Sequence, residues 1–185
     1  MAFSPEDTQF TTTWWERLLS DEEKMNLWLV KLHRTEFSGY RDNIEAADRY
    51  CRENSAEYHI FKVTGEDEMR HAEILEKVLL GRGIRWSSTY DPPPSLYWDK
   101  MYEHVTDLKT VAAVFHLGEE LAADRFRVIL DHPETPLDIR DFLLQALPDE
   151  AYHARTFGRI AGEEMIQQFR AIHVETVSLL KRGRA

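Results

Sequence analysis

The chain has 185 residues, 43% of them hydrophobic and 30% charged, which is enough apolar material for a single domain, 1–185, with a substantial core. A formal net charge of −10 excludes a nucleic-acid partner, since gripping a phosphate backbone requires a concentrated basic face. Cys51 is the only cysteine, so neither an internal disulfide nor a four-cysteine metal knot can form, and any metal must be held by His, Asp and Glu.

Met1 to Ser20 shows neither a basic start with an apolar run nor a small-residue cleavage signature, and no stretch of about 18 apolar residues occurs anywhere. The expectation is a cytoplasmic protein with no membrane partner, whose N-terminal arm carries Trp14 and Trp15. Four long segments then show apolar residues at helical spacing with almost no strand-type alternation, which predicts an all-α fold. The first, Asp21 to Cys51, opens on Ser20 and Glu23 at capping-box spacing and stripes Met25, Leu29, Leu32, Tyr40, Ala47 and Tyr50 along one face. The second, Ser55 to Leu80, follows Asn54, with Glu57 three residues on, and stops at Gly81 and Gly83. The third spans Asp107 to Leu130 and ends before His132-Pro133. The fourth starts at Thr135-Pro136, an N-cap followed by proline at the first helical position, and runs to about Phe169. A short additional helix covers Ala171 to Lys181. Pro148 lies inside the fourth segment and removes a backbone donor, so a kink or bulge is expected beside it.

Short links between the first and second segments, and between the third and fourth, force antiparallel hairpins. Residues 82–106, with Trp86, Tyr90, Pro92-Pro93-Pro94, Tyr97 and Trp98, are long enough to run from end to end of a bundle at about 3.3 Å per extended residue. The predicted architecture is a four-helix bundle, core 21–169, of two antiparallel hairpins joined by a long crossover.

Each hairpin carries the same pattern. Glu36 precedes Asp67-Glu68-Met69-Arg70-His71 with 30 residues between Glu36 and Asp67, and Glu119 precedes Asp149-Glu150-Ala151-Tyr152-His153 with 29 residues between Glu119 and Asp149. Residues i and i+3 share a helical face, so Glu68 with His71, and Glu150 with His153, can each grip an ion, while Glu36 and Glu119 bridge or cap the pair. Four carboxylates and two imidazoles suit two divalent ions that cycle to the trivalent state, and four buried carboxylates without cations would repel one another. Glu119 continues the stripe of Ala112, Phe115, Ala122 and Phe126, whereas Glu120 aligns with Lys109, Ala113, Asp124 and Arg127, so Glu119 is the chosen ligand. Asp67 and Asp149 are candidates to accept the second N–H of a ligating imidazole, with Asp149 facing His71 and Asp67 facing His153. Tyr40, one turn beyond Glu36, is a candidate hydrogen-bond donor or redox-active phenol. His33, His59, His104, His116, His132 and His173 have no counterpart in the repeat and are read as surface or packed residues, with His116, three residues before Glu119, the one to watch.

At these residues the chain resembles the carboxylate-bridged diiron proteins of the ferritin-like superfamily. Asp67 to His71 fits the Asp-Glu-x-Arg-His signature shared by monooxygenases, acyl desaturases and ribonucleotide reductase small subunits, and Asp149 to His153 fits it except at Tyr152. The run Asp67 to Glu73 is also similar to bacterioferritin, although Met69 points away from the metal face, and Gly118-Glu119 is similar to rubrerythrin, which would place a further Glu where Ala122 stands. The resemblance implies a ferritin-like fold, two iron ions with manganese able to replace one or both, an external electron donor, and O2 or peroxide as oxidant. The expected function is a diiron oxygenase or oxidase acting on a small organic substrate. The alternative is a ferroxidase, iron-storage or detoxification protein. A monomer or homodimer would favour the enzyme, and a large multi-subunit shell would favour storage.

Overall fold

The structure is a computed structural model that describes residues 3–86 and 95–182, over which the chain forms seven α-helices and no strand. They are α1 (Pro5–Leu19), α2 (Glu22–Tyr50), α3 (Ala56–Gly81), α4 (Leu96–Tyr102), α5 (Leu108–Asp131), α6 (Leu137–Ala161) and α7 (Glu163–Arg182). No helix is long and apolar enough to cross a membrane. Tyr90 and Pro92 to Pro94 of the crossover lie outside the described residues.

Local chemistry sets most of the boundaries. The N-terminal arm is itself a helix, started by a Ser4–Asp7 capping box with Pro5 in the first turn. Ser20 therefore closes α1, its N–H bonding back to Glu16, and Asp21 caps α2 by accepting from the Lys24 N–H. At the next corner Asn54 takes φ 61°, a left-handed turn, and it is Ser55 that caps α3. The crossover contains the short helix α4, which a window of seven residues is too short to announce. The helix expected to reach Phe169 stops at Ala161, because Gly162 turns the chain at φ 79°, and α7 begins at Glu163 rather than Ala171. Helix α6 continues through Pro148 on an exposed face, where water can take the carbonyl that proline leaves without a donor.

Packing follows from the short corners. Helix α2 lies along α3 and α5 along α6, while α3 also meets α6 and α2 meets α5. Asp67 meets His153, His71 meets Asp149, and Arg82 meets Asp138, so α3 and α6 run antiparallel. With both hairpins antiparallel as well, the segment between α3 and α5 must return the chain along the bundle. Helices α1, α4 and α7 all pack on α5, and every residue from Thr110 to Gly118 is buried.

Trp15 ties α1 to this frame. It is fully buried, stacks edge-on to Trp28 at 5.0 Å, and its indole N–H donates to Thr135 Oγ1 at 2.9 Å; Thr135 in turn donates to the Ile129 carbonyl at 2.5 Å. Thr135, expected as a helix cap, is instead a buried pin, and Pro136 takes the cap position of α6. Trp15→Ala should cost about 3–5 kcal/mol by emptying an aromatic site, and Thr135→Val about 1–3 kcal/mol by stranding the indole donor, both read from urea unfolding.

Candidate metal centre

Two apolar cores flank one polar layer. The first gathers Ala46, Phe61, Val111, Phe115 and Phe157, and the second gathers Leu29, Leu32, Leu75, Leu79, Phe126 and Phe142. Each of the four bundle helices passes from one core to the other, and midway it presents the residues of the repeat: Glu36 on α2, Glu68 and His71 on α3, Glu119 on α5, Glu150 and His153 on α6. Helical periodicity, which keeps the apolar stripe facing inward, turns these polar residues inward too.

The six side chains come together as two overlapping groups. Glu36, Glu68, His71 and Glu150 form one, and Glu68, Glu119, Glu150 and His153 the other; within each, the donor atoms all lie within 4.8 Å of one another. Glu68 and Glu150 belong to both groups, while Glu36 with His71, and Glu119 with His153, belong to one each. The residues common to both groups thus lie on the Glu-x-x-His helices, and Glu36 and Glu119 stand at opposite ends of the cluster. His71 Nδ1 is 3.4 Å from Glu36 and 3.5 Å from Glu150, and His153 Nδ1 is 3.4 Å from Glu68. Both imidazoles are fully buried, and Glu119 alone of the six retains appreciable exposure. Gly39, one turn beyond Glu36, makes room, since a Cβ there would lie 3.0 Å from Glu68 Oε2.

The outer nitrogens are also engaged. His71 Nε2 is 3.2 Å from Asp149 Oδ2 and His153 Nε2 is 3.2 Å from Asp67 Oδ2, so each imidazole has a carboxylate from the opposite hairpin to take its N–H and leave Nδ1 free toward the centre. Arg70 spans the two aspartates, donating to Asp67 at 2.5 Å and to Asp149 at 2.7 Å. This role was not read from the sequence, although Arg70 stands three residues after Asp67; that it also reaches Asp149 depends on α3 packing against α6. Tyr152, in the place of a second Arg, points outward and is half-exposed.

The remaining candidates separate. Glu120 is outside both groups and lies 3.7 Å from His116 and 3.9 Å from Arg170 of α7. The face on which it stands is partly covered, since Ala113 and Asp124 are buried there while Lys109 and Arg127 remain exposed. His116 Nδ1 bonds the Ala154 carbonyl at 2.8 Å and packs against Gly158, which gives it a structural role. Tyr40 is half-buried beside Phe37, and among the described residues its hydroxyl has no hydrogen-bond partner.

The electrostatics report how much charge this layer must manage. Burial, then the charge of Glu150, pushes Glu36 up from 4.5 to about 8. Burial and the Glu150 charge likewise raise Glu68 and Glu119 far above the ordinary carboxylate range. Burial opposes protonation of His153, but its hydrogen bond to Asp67 and the nearby carboxylates of Glu68 and Glu150 win, raising it from 6.5 to about 10. His71 Nδ1, His153 Nδ1 and Glu68 Oε1 are buried without a hydrogen-bond partner, all in this layer. Unmet buried acceptors and clustered anions are the condition that a divalent cation relieves, so the donor set fits metal. No protein-family model, curated protein or solved structure matches the chain.

Two outcomes follow. Glu68→Ala or Glu150→Ala should weaken both ions, Glu36→Ala only the ion beside His71, Glu119→Ala or His153→Ala only the other, and Glu120→Ala neither; metal content of the purified variants decides, and unchanged content in Glu68→Ala and His153→Ala would refute the site. For metal-free protein Glu36, Glu68, Glu119 and His153 have folded pKa values above their unfolded ones, so the stability they contribute is complete at low pH and is lost as pH rises from 4.5 through about 8 for Glu36, and from 6.5 through about 10 for His153. Its thermal midpoint should fall over that range, and saturating divalent metal should remove the fall.

Proposed function

We propose that the chain is a ferritin-like, carboxylate-bridged diiron oxidoreductase that uses O2 to oxidise a small organic substrate. The observation that carries this reading is the pair of four-donor groups sharing Glu68 and Glu150, with three orphaned buried acceptors in the same layer. Two antiparallel hairpins with a returning connection between them support the ferritin-like topology.

Iron bound here would supply the electrons for O2 and the oxidising power toward substrate. The chain supplies the rest. Glu68 and Glu150 would hold the positions common to both ions, and Glu36 with His71, and Glu119 with His153, would hold the ends. Asp149 and Asp67 fix the imidazole tautomers by accepting from Nε2, and Arg70 holds both aspartates in place by donating to each. The charge of Arg70, together with the His153 bond, holds Asp67 below its ordinary value. The two apolar cores keep bulk water from the layer. Glu119, the ligand with remaining exposure, marks the side from which a small substrate reaches the centre.

The same six donors could serve an iron-storing protein, and stoichiometry separates the two. Loaded anaerobically with Fe(II), the protein should be nearly colourless; on exposure to O2 it should gain near-ultraviolet absorption with about two irons per chain, and further Fe(II) should not be retained. Oxidation and retention of many irons per chain as a soluble mineral would replace the oxidase reading with storage, and failure to bind iron would end both.

A further inference from the structure

Among the described residues, Tyr97, on α4, is the phenol best equipped for redox chemistry. It is 4% exposed, and its hydroxyl lies 2.8 Å from Nδ1 of His173 on α7, the two rings meeting edge to face with centroids 5.7 Å apart. Burial, then the charge of Arg170, brings His173 down from 6.5 to about 4, so the imidazole is neutral and its Nδ1 lone pair accepts from the phenol. Burial also holds the phenol in its protonated form; Arg125 opposes this, and Glu119 and Glu120 reinforce it. Tyr40, nearer in sequence to a ligand, has no comparable base among the described residues.

Through Trp98, the pair adjoins the turn of α5 that carries Glu119. Trp98, the next residue, packs so closely on Gly118 that a Cβ there would meet its ring at 2.5 Å, and the Tyr97 and Trp98 rings are 5.1 Å apart. Tyr97 is thereby linked through the Trp98 ring to the residue that precedes Glu119. A phenol yields an electron readily only when its proton can leave at the same time, because the oxidised phenol is a strong acid. A neutral imidazole already hydrogen-bonded to that proton meets this requirement.

We propose that Tyr97 and His173 form a proton-coupled, one-electron donor to the oxidant that dioxygen generates at the metal centre. The inference rests on the diiron reading. The O–H bond of Tyr97 breaks, its proton passes to His173 Nδ1 to give an imidazolium, and its electron reduces the metal-centred oxidant by one. Tyr97 is left as a neutral phenoxyl radical. The external electron donor later restores it while the proton returns from His173. An oxidant formed without substrate is thereby discharged through a residue outside the ligand set.

The test is electron paramagnetic resonance on full-length protein loaded with Fe(II), mixed with O2 and freeze-quenched. Wild type should give a phenoxyl signal that narrows when ring-deuterated tyrosine is incorporated. Tyr97→Phe should abolish the signal, His173→Gln should greatly reduce its yield, and Tyr40→Phe should leave it intact. Persistence in Tyr97→Phe, or no radical in wild type while the near-ultraviolet band of oxidised iron appears, overturns the inference and leaves the diiron reading standing. If iron neither binds nor oxidises, the diiron reading fails, and a metal-free arm tests the pair itself with flash-generated ruthenium(III) tris-bipyridine. There a Tyr97 radical accompanied by an infrared imidazolium signature of His173 supports the pair, and oxidation elsewhere alone overturns it.

Discussion

Four carboxylates and two imidazoles share one layer in the middle of the bundle, and their mutual repulsion sets the terms for everything around them. Charges removed from water interact strongly, and unpaired they cost several kcal/mol each. Without cations the layer is held together by protons, which is why Glu36, Glu68 and Glu119 keep theirs far above the ordinary range. The helices cannot relax apart to relieve the strain, because each is anchored on both sides of the layer by a packed aromatic and aliphatic core. Metal affinity and the pH sensitivity of the metal-free chain have the same origin.

A second ring of charge stabilises the first. Asp67 and Asp149 exchange partners across the bundle, each taking the imidazole of the other hairpin, so the two halves of the repeat are locked together rather than merely adjacent. A single guanidinium, Arg70, closes the ring by bridging both aspartates from the surface. The duplication is therefore not symmetric in its outer layer: one half supplies an arginine, and the other supplies Tyr152 in its place.

Asymmetry is stronger still around α5. Helices α1, α4 and α7 enclose it, while the α2–α3 side retains exposed apolar residues such as Leu27, Phe37 and Val63. The enclosed side carries Glu119, the ligand that keeps some exposure, and beside it the Tyr97–His173 pair and the Trp98–Gly118 contact. The covering aromatics and the phenol with a bound base thus share one flank of the centre with Glu119.

The sequence by itself determined the all-helical class, the approximate extents of the four long helices, and the residues that meet in the polar layer. Helical periodicity was sufficient for this, because one stripe per helix faces inward whatever the partner, and the repeated Glu and Glu-x-x-His spacing lies on that stripe. Local signals failed where two were in competition. Ser20 and Asp21, or Asn54 and Ser55, could each have capped a helix, and the choice depended on the preceding turn. A single Gly162 within an otherwise continuous pattern gave no warning that the chain would reverse. Only the tertiary structure decided which carboxylates are shared, that Arg70 serves both aspartates, that the face bearing Glu120 is partly covered by α7, and that Tyr97 rather than Tyr40 has a base at its hydroxyl. Such contacts join residues far apart in the chain, 76 positions between Tyr97 and His173 and 79 between Arg70 and Asp149, and no periodicity within one helix encodes them.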